Sequence, residues 1–263
     1  MLRHTLRKIA LAVAAITISG CSILSDKLKE AATWSNQKLY GHAQEALSEH
    51  DWGLCAKYFG AFEGRATSDR YAQQAQLNAA YCYWKDKQNT AALQLIHRFI
   101  QQYPAHPRLD YVFYLKGLIN FNDELGLLDR LGKQDISERD PQAERDAYQA
   151  FKIVVEHYPN SPYAADAAQR MRYLVNMLAA HEVHVADYYY RRGAYIAAAN
   201  RAQAALEQFQ NAPATEEALR LLILSYQALG DTQLAHDAKR VLQATFPNSA
   251  YLKGKAGLLG GSK

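Results

Sequence analysis

Residue types able to do covalent or metal chemistry are few in this chain. It has three cysteines and nine histidines in 263 residues. The histidines are scattered, and no HExxH or cysteine cluster gives metal-ligand spacing, so no metal site is predicted. Neither a G-x-S-x-G nucleophile turn nor a phosphate-cradling glycine loop is present. Glu182 and His184 lie close in sequence, but two positions apart on a helix they do not share a face. These absences argue against an enzyme and against a cofactor. The cysteines remain. Cys55 and Cys82 form no CxxC, and two cysteines make no disulfide framework. The residues leave two states open for them. Two small buried thiols is the favoured one, and a single bridge is the alternative in an oxidising compartment.

Cys21 has a different context. Residues 1–20 begin with Arg3, Arg7 and Lys8, continue through the apolar run IALAVAAITI, and end in Ser19-Gly20 before the cysteine. A basic start, a short apolar stretch and small residues make a signal peptide. The run is short for a membrane span. Ser19-Gly20-Cys21 resembles the bacterial lipobox, although Ile18 stands where leucine is usual. That resemblance implies that Cys21 is lipidated and becomes the first mature residue, a covalent lipid in place of any cofactor. Ser22 is compatible with the outer membrane. Several acyl chains would hold the protein firmly, since each buried methylene contributes about 0.8 kcal/mol. Cleavage removes three basic residues, so the formal charge falls from +4 to +1. A near-neutral mature chain argues against nucleic-acid binding.

Behind a tether over 21–33, the sequence reads as helix almost throughout. Glycine and proline are scarce, with 14 and 7 residues. Tyr71 to Pro104 spans one 34-residue unit of the tetratricopeptide pattern. A small residue, Ala92, opens its second helix, Ile96 and Phe99 fill the gap, and Pro104 stops it. The stop recurs as QQYPAHP, EHYPNSPY and TFPNSAY, and Ala92, Ala147 and Ala235 each lie twelve residues before such a proline. Cys55 and Ala198 head two weaker units, with Phe59 and Phe62 after the first and Ala202, Ala205 and Phe209 after the second. The anchors are then spaced by 37, 55, 51 and 37 residues. The fold class expected is all-α: a tetratricopeptide-repeat superhelix, or α-solenoid, of about five repeats. Repeats 1–2 occupy 34–104, and repeats 3–5 occupy 105–250 with an insertion at 122–140. A tail follows at 251–263. Tyr163 to Tyr190 reads as one very long helix or a kinked pair.

Stacked helix pairs share a core and present a concave surface suited to binding other proteins. In the second repeat, consensus geometry turns Gln74, Leu77, Tyr81, Trp84 and Lys85 toward that groove. A core role for Leu77 and Trp84 is the equal alternative. Trp34 and Trp52 read as ordinary packing residues.

The strings RDP, YPNSPYAADAAQRM, HE..VADYY and RGAYIAAANR, with the lipobox, closely resemble the BamD family, also called ComL or YfiO, over about 35–250. The resemblance implies an outer-membrane lipoprotein facing the periplasm of a Gram-negative bacterium. It would be a non-catalytic part of the β-barrel assembly machine. Its C-terminal half would dock on the periplasmic domain of the barrel insertase. Its N-terminal half would meet unfolded outer-membrane protein substrates, and accessory lipoproteins would attach. The 122–140 insertion, which mixes Asp, Glu, Arg, Leu and Ile, is itself expected to support an accessory-partner surface, since loops on rigid scaffolds often carry contacts. Cys55 stands where the family usually has alanine, and no proline precedes Tyr71.

Within the motif RRGAYIAAANR, the resemblance implies that Arg192 and Arg201 bind the insertase. Nine positions apart on one helix they would face opposite sides, but the repeat map requires a break at Gly193, since Ala198 opens the second helix of repeat four. From charge pattern alone, each arginine is better read as solvated, or as paired inside the stack with Glu182 or Asp187. A further reading is an exported repeat adaptor that coordinates envelope or division proteins.

Overall fold

A computed structural model of the chain describes residues 28–66, 69–121 and 141–252. The expected signal peptide, the start of the expected tether, the 122–140 insertion and the tail from residue 253 lie outside the described residues. Among the described residues there are ten helices of 12 residues or more and no strand. They are α1 (Asn36–Ser48), α2 (Trp52–Glu63), α3 (Asp69–Lys85), α4 (Asn89–Gln102), α5 (Leu109–Asn120), α6 (Gln142–His157), α7 (Ala164–Arg191), α8 (Tyr195–Gln208), α9 (Thr215–Ala228) and α10 (Thr232–Thr245). This is the all-α repeat array of tetratricopeptide kind that the spacing predicts.

The hairpins are made by one turn used four times. His50, Lys87, Gly193 and Gly230 are each the middle residue of a three-residue connection, with φ of 61°, 62°, 75° and 78°. The amide after each reaches back across the helix end: Asp51 to the Ala46 carbonyl, Gln88 to Tyr83, Ala194 to Tyr189 and Asp231 to Tyr226. A left-handed residue lets the chain satisfy the last carbonyls and reverse. Glycine does this without a Cβ clash, whereas His50 and Lys87 do it at some cost. Asp51 and Asp231 then cap the second helix by accepting from the Leu54 and Leu234 amides at 3.1 and 3.0 Å.

The link between repeats is equally regular. Tyr103, Tyr158, Phe209 and Phe246 end their helices with φ of −131°, −130°, −132° and −128°. A following proline drives the preceding residue out of the α region, which explains three of the four. Phe209 is followed by Gln210 and adopts the same shape. Three residues on, the amides of His106, Ser161, Ala212 and Ser249 return to those aromatic residues' carbonyls. The His106 ring and the Ser161 and Ser249 hydroxyls accept from amides two residues ahead.

All five anchors are buried: Cys55, Ala92, Ala147 and Ala198 fully, and Ala235 at 6% exposure. Phe59, Ile96, Phe99, Phe151 and Val154 beside them are buried too.

Contacts divide the chain at Ile119/Asn120. One reason is that Asn89, at the start of α4, donates to the Ile119 carbonyl at 3.3 Å and ties the end of α5 to the first unit. In that unit, α2 packs between α1 and α3, and α3 packs on α4. The Cys55 and Cys82 sulfurs are bonded, with Cα atoms 5.9 Å apart, so the favoured reading of two thiols is corrected to a bridge. Both side chains point into the same α2–α3 interface, a matter of direction that repeat spacing does not reveal.

In the second unit, α7 is one continuous 28-residue helix, about 42 Å long at 1.5 Å per residue. It packs on α6, α8 and α9. The last helix differs from its counterpart. Where α8 buries Ala199 and Ala202 and packs Leu206 in this unit's core, α10 exposes His236, Lys239 and Gln243. The chain then folds back: the Tyr251 hydroxyl donates to Glu217, which also takes Arg220 through both oxygens.

Candidate functional site

Arg201 sits on α8, which starts just after Gly193 and runs back along α7. The break required between Arg192 and Arg201 is therefore present. Its consequence is that Arg201 comes level with Glu182 in the middle of α7. Arg201 Nη1 donates to Glu182 Oε2 at 3.0 Å. From the other side, Arg145, near the start of α6, donates through Nη2 to Glu182 Oε1 at 3.0 Å. One carboxylate thus holds two guanidiniums from two other helices. The Glu182 side chain is only 4% exposed, while those of Arg145 and Arg201 are 39% and 49% exposed. Burying a lone carboxylate costs several kcal/mol, so Glu182 needs its partners. The cluster nevertheless carries one positive charge more than it neutralises, and that charge faces outward.

Beside Arg145 is a cleft of about 240 Å³. Val175, Leu178 and Phe209 give it an apolar floor, and Tyr148 and Gln208 join Arg145 at its rim. The cleft lies at the seam where the start of α6 and the end of α8 both lie along α7.

Arg192 stands apart from this cluster. It caps α7, and its guanidinium lies 5.2 Å from the Tyr188 ring centroid. Asp187 pairs with Arg191 at 2.8 Å. Of the internal pairings open to Arg201 in the sequence, the one with Glu182 is made. Arg145 is the member that sequence reasoning missed. Its signal was weak, since it stands just beyond the string RDP and pairs 37 residues away.

The groove candidates on α3 separate into core and surface. Leu77 is 2% exposed and is a core residue. Gln74 donates to Asn78 on its own helix at 2.9 Å. Tyr81 is half-buried, with its ring edge-on to Trp52 at 6.0 Å and to Trp84 at 5.7 Å. Lys85 is exposed, with Nζ 5.2 Å from the Trp84 ring and 5.7 Å from that of Trp52. Trp52, read from sequence as packing alone, thus completes an aromatic platform carrying a cation. Trp34 remains a packing residue, in contact with His42 and Tyr58.

Nothing among the described residues groups three or more metal-binding side chains, and no described helix is long and apolar enough to cross a membrane.

Comparison with known proteins places this geometry. Residues 33–242 match the family model of YfiO, described as an outer membrane lipoprotein. The chain belongs to the YfiO family. A relative named outer membrane protein assembly factor BamD, from Neisseria meningitidis serogroup A, is 45% identical over 251 residues, 94% of each chain. Proteins of the same name from Xylella fastidiosa and Vibrio cholerae are 37% and 34% identical over 83% and 85% of this chain, and over 75% and 92% of their own. The YfiO match spans both units, so it covers the α3 platform and the Glu182 cluster alike. These relatives are assembly factors, and the chain is a non-catalytic member of their family.

Proposed function

We propose that this chain is the lipid-anchored BamD component of a β-barrel assembly machine, a scaffold that binds the barrel insertase and unfolded barrel substrates. The observation that carries the reading is the 45% identity to a BamD assembly factor across 94% of both chains. Cys21 bears the lipid and fixes the protein to the periplasmic face of the outer membrane. Arg201, with Arg192 beside the Gly193 turn, meets the insertase's periplasmic domain. Arginine suits that contact because its planar fork pairs with carboxylates. The Trp52–Tyr81–Trp84 platform with Lys85 and Gln74 is the surface offered to substrate peptide. Accessory lipoproteins complete the assembly.

Co-purification of the native membrane complex in mild detergent tests the reading. Recovery of a barrel insertase supports it, and recovery of division or wall-synthesis proteins instead overturns it. Intact mass should begin at an acylated Cys21. Arg201→Ala should leave the helical spectrum unchanged and weaken binding to the purified periplasmic domain by about tenfold or more.

A further inference from the structure

The second unit contains two carboxylates held by arginine, the buried Glu182 and the partly exposed Glu217, and they are held differently. Glu217 is satisfied by one arginine. Arg220 donates to it through Nε at 2.9 Å to both oxygens and through Nη2 at 2.6 Å, and its side chain is only 16% exposed. Tyr251 completes that shell. This is how an internal pair closes on itself. Glu182 is held by two arginines from separate helices, each through one nitrogen and each two- to threefold more exposed than Arg220. A guanidinium has five N–H donors in a fixed fork. Using one nitrogen of each on a buried carboxylate fixes both orientations and leaves the remaining donors to face out. The cleft beside Arg145 keeps its outer side accessible.

We propose that Glu182 is a positioning residue and Arg145 a second contact residue of the insertase-docking site. Together with Arg201 they form a two-arginine receptor for an acidic segment of the insertase's periplasmic domain. The inference rests on the docking role of Arg201 given above. Glu182 does not touch the partner. It holds the two guanidiniums at one spacing, so that a single partner carboxylate, or two adjacent ones, meets both. Preorganised donors bind without the ordering cost that two free arginine side chains would carry.

The test measures binding of the full-length lipoprotein in detergent to the purified periplasmic domain, over a range of salt concentrations. Arg201→Ala, Arg145→Ala and Glu182→Gln are compared with the unaltered chain. Arg145→Ala is expected to weaken binding on the order of tenfold, and to flatten its salt dependence, because one attracting charge has gone. Glu182→Gln keeps both arginines but loosens them, so it weakens binding while the salt dependence stays steep. Arginine 145 is nearly two-fifths exposed, so Arg145→Ala is tolerated and carries the test even where Glu182→Gln does not fold. Should Arg201→Ala weaken binding while Arg145→Ala binds with unaltered affinity and salt dependence, the two-arginine receptor is overturned and the docking role of Arg201 stands. Should Arg201→Ala bind as tightly as the unaltered chain, the docking role itself falls, and the receptor with it.

Discussion

The first unit packs its hairpins with large rings, and the second packs them with alanine. Around Cys55 the core holds Tyr58, Phe59 and Phe62, with Tyr40 against Phe59 at 5.7 Å and against Phe62 at 5.0 Å. Around α8 and α9 it holds Ala199, Ala202, Ala205 and Ala218 with Leu219, Leu221 and Ile223. Interaxial distance depends on the side chains at the contact, about 8–10 Å across helix pairs. Small residues permit close approach of α7, α8 and α9, and α6 and α8 both reach one carboxylate on α7. Large rings leave edges at the surface, as at Trp52, Tyr81 and Trp84. The same repeat plan therefore yields an aromatic platform in one unit and a charged cluster in the other. A covalent staple secures the first, and ion pairs secure the second.

The largest expected effect is on the staple. Replacing Cys55 and Cys82 together by alanine removes a cross-link over a sequence separation of 27 residues. Loop closure of that length is worth about 3.5 kcal/mol in the chain-entropy account. Hydrogen exchange should show α2 and α3 losing protection while α8 and α9 keep theirs. Equal loss in both units would break the comparison, since it would mean that they unfold as one.

Ala202→Leu tests the other half. Ala202 is fully buried where α8 meets its neighbours, and added methylenes in a close-packed core cost about 1–3 kcal/mol. The substitution should lower stability and also weaken binding at Arg201, which adjoins it on α8. A neutral result would show that α8 has room to spare and that alanine there does not set the helix spacing.

How much of this was legible depends on the range of the interaction. The anchors from Cys55 to Ala235 were readable because a repeat writes the same small residue at the same distance from the same stop. Phe209 shows the limit: its turn matches Tyr103 and Tyr158 without the proline that marks them, so the fourth repeat looked weaker than it is. The long α7 was foreseen as one of two forms, since nothing in 164–191 breaks a helix. Leu77 faces inward although its pattern fits a groove, because repeat consensus gives the face of a helix but not the depth of one side chain. The Cys55–Cys82 bond and the Arg145–Glu182 pair depend on directions across helices. Sequence spacing fixes which helices are neighbours, and packing decides which side chains meet.

The smallest expected effect lies at the fold-back after α10. Burial and its hydrogen bond to Glu217 push the Tyr251 hydroxyl up to about 12. The neutral phenol, which donates that bond, is therefore favoured in the folded protein over the unfolded chain, where a tyrosine titrates near 10. A folded value above the unfolded one gives stability that is complete below pH about 10 and is lost as pH rises toward 12. Tyr251→Phe keeps the ring that lies over Arg220 and removes only the hydroxyl. Glu217 retains Arg220, so no carboxylate is left unpaired, and the cost at neutral pH should be about 1 kcal/mol. Denaturant unfolding of both proteins at neutral pH, and again up the alkaline limb, measures the gap. It should narrow as Tyr251 loses its proton, because the ionised side chain of the unaltered protein can no longer donate. A gap that stays constant with pH would mean that ring packing, not the donated proton, holds the fold-back to α9.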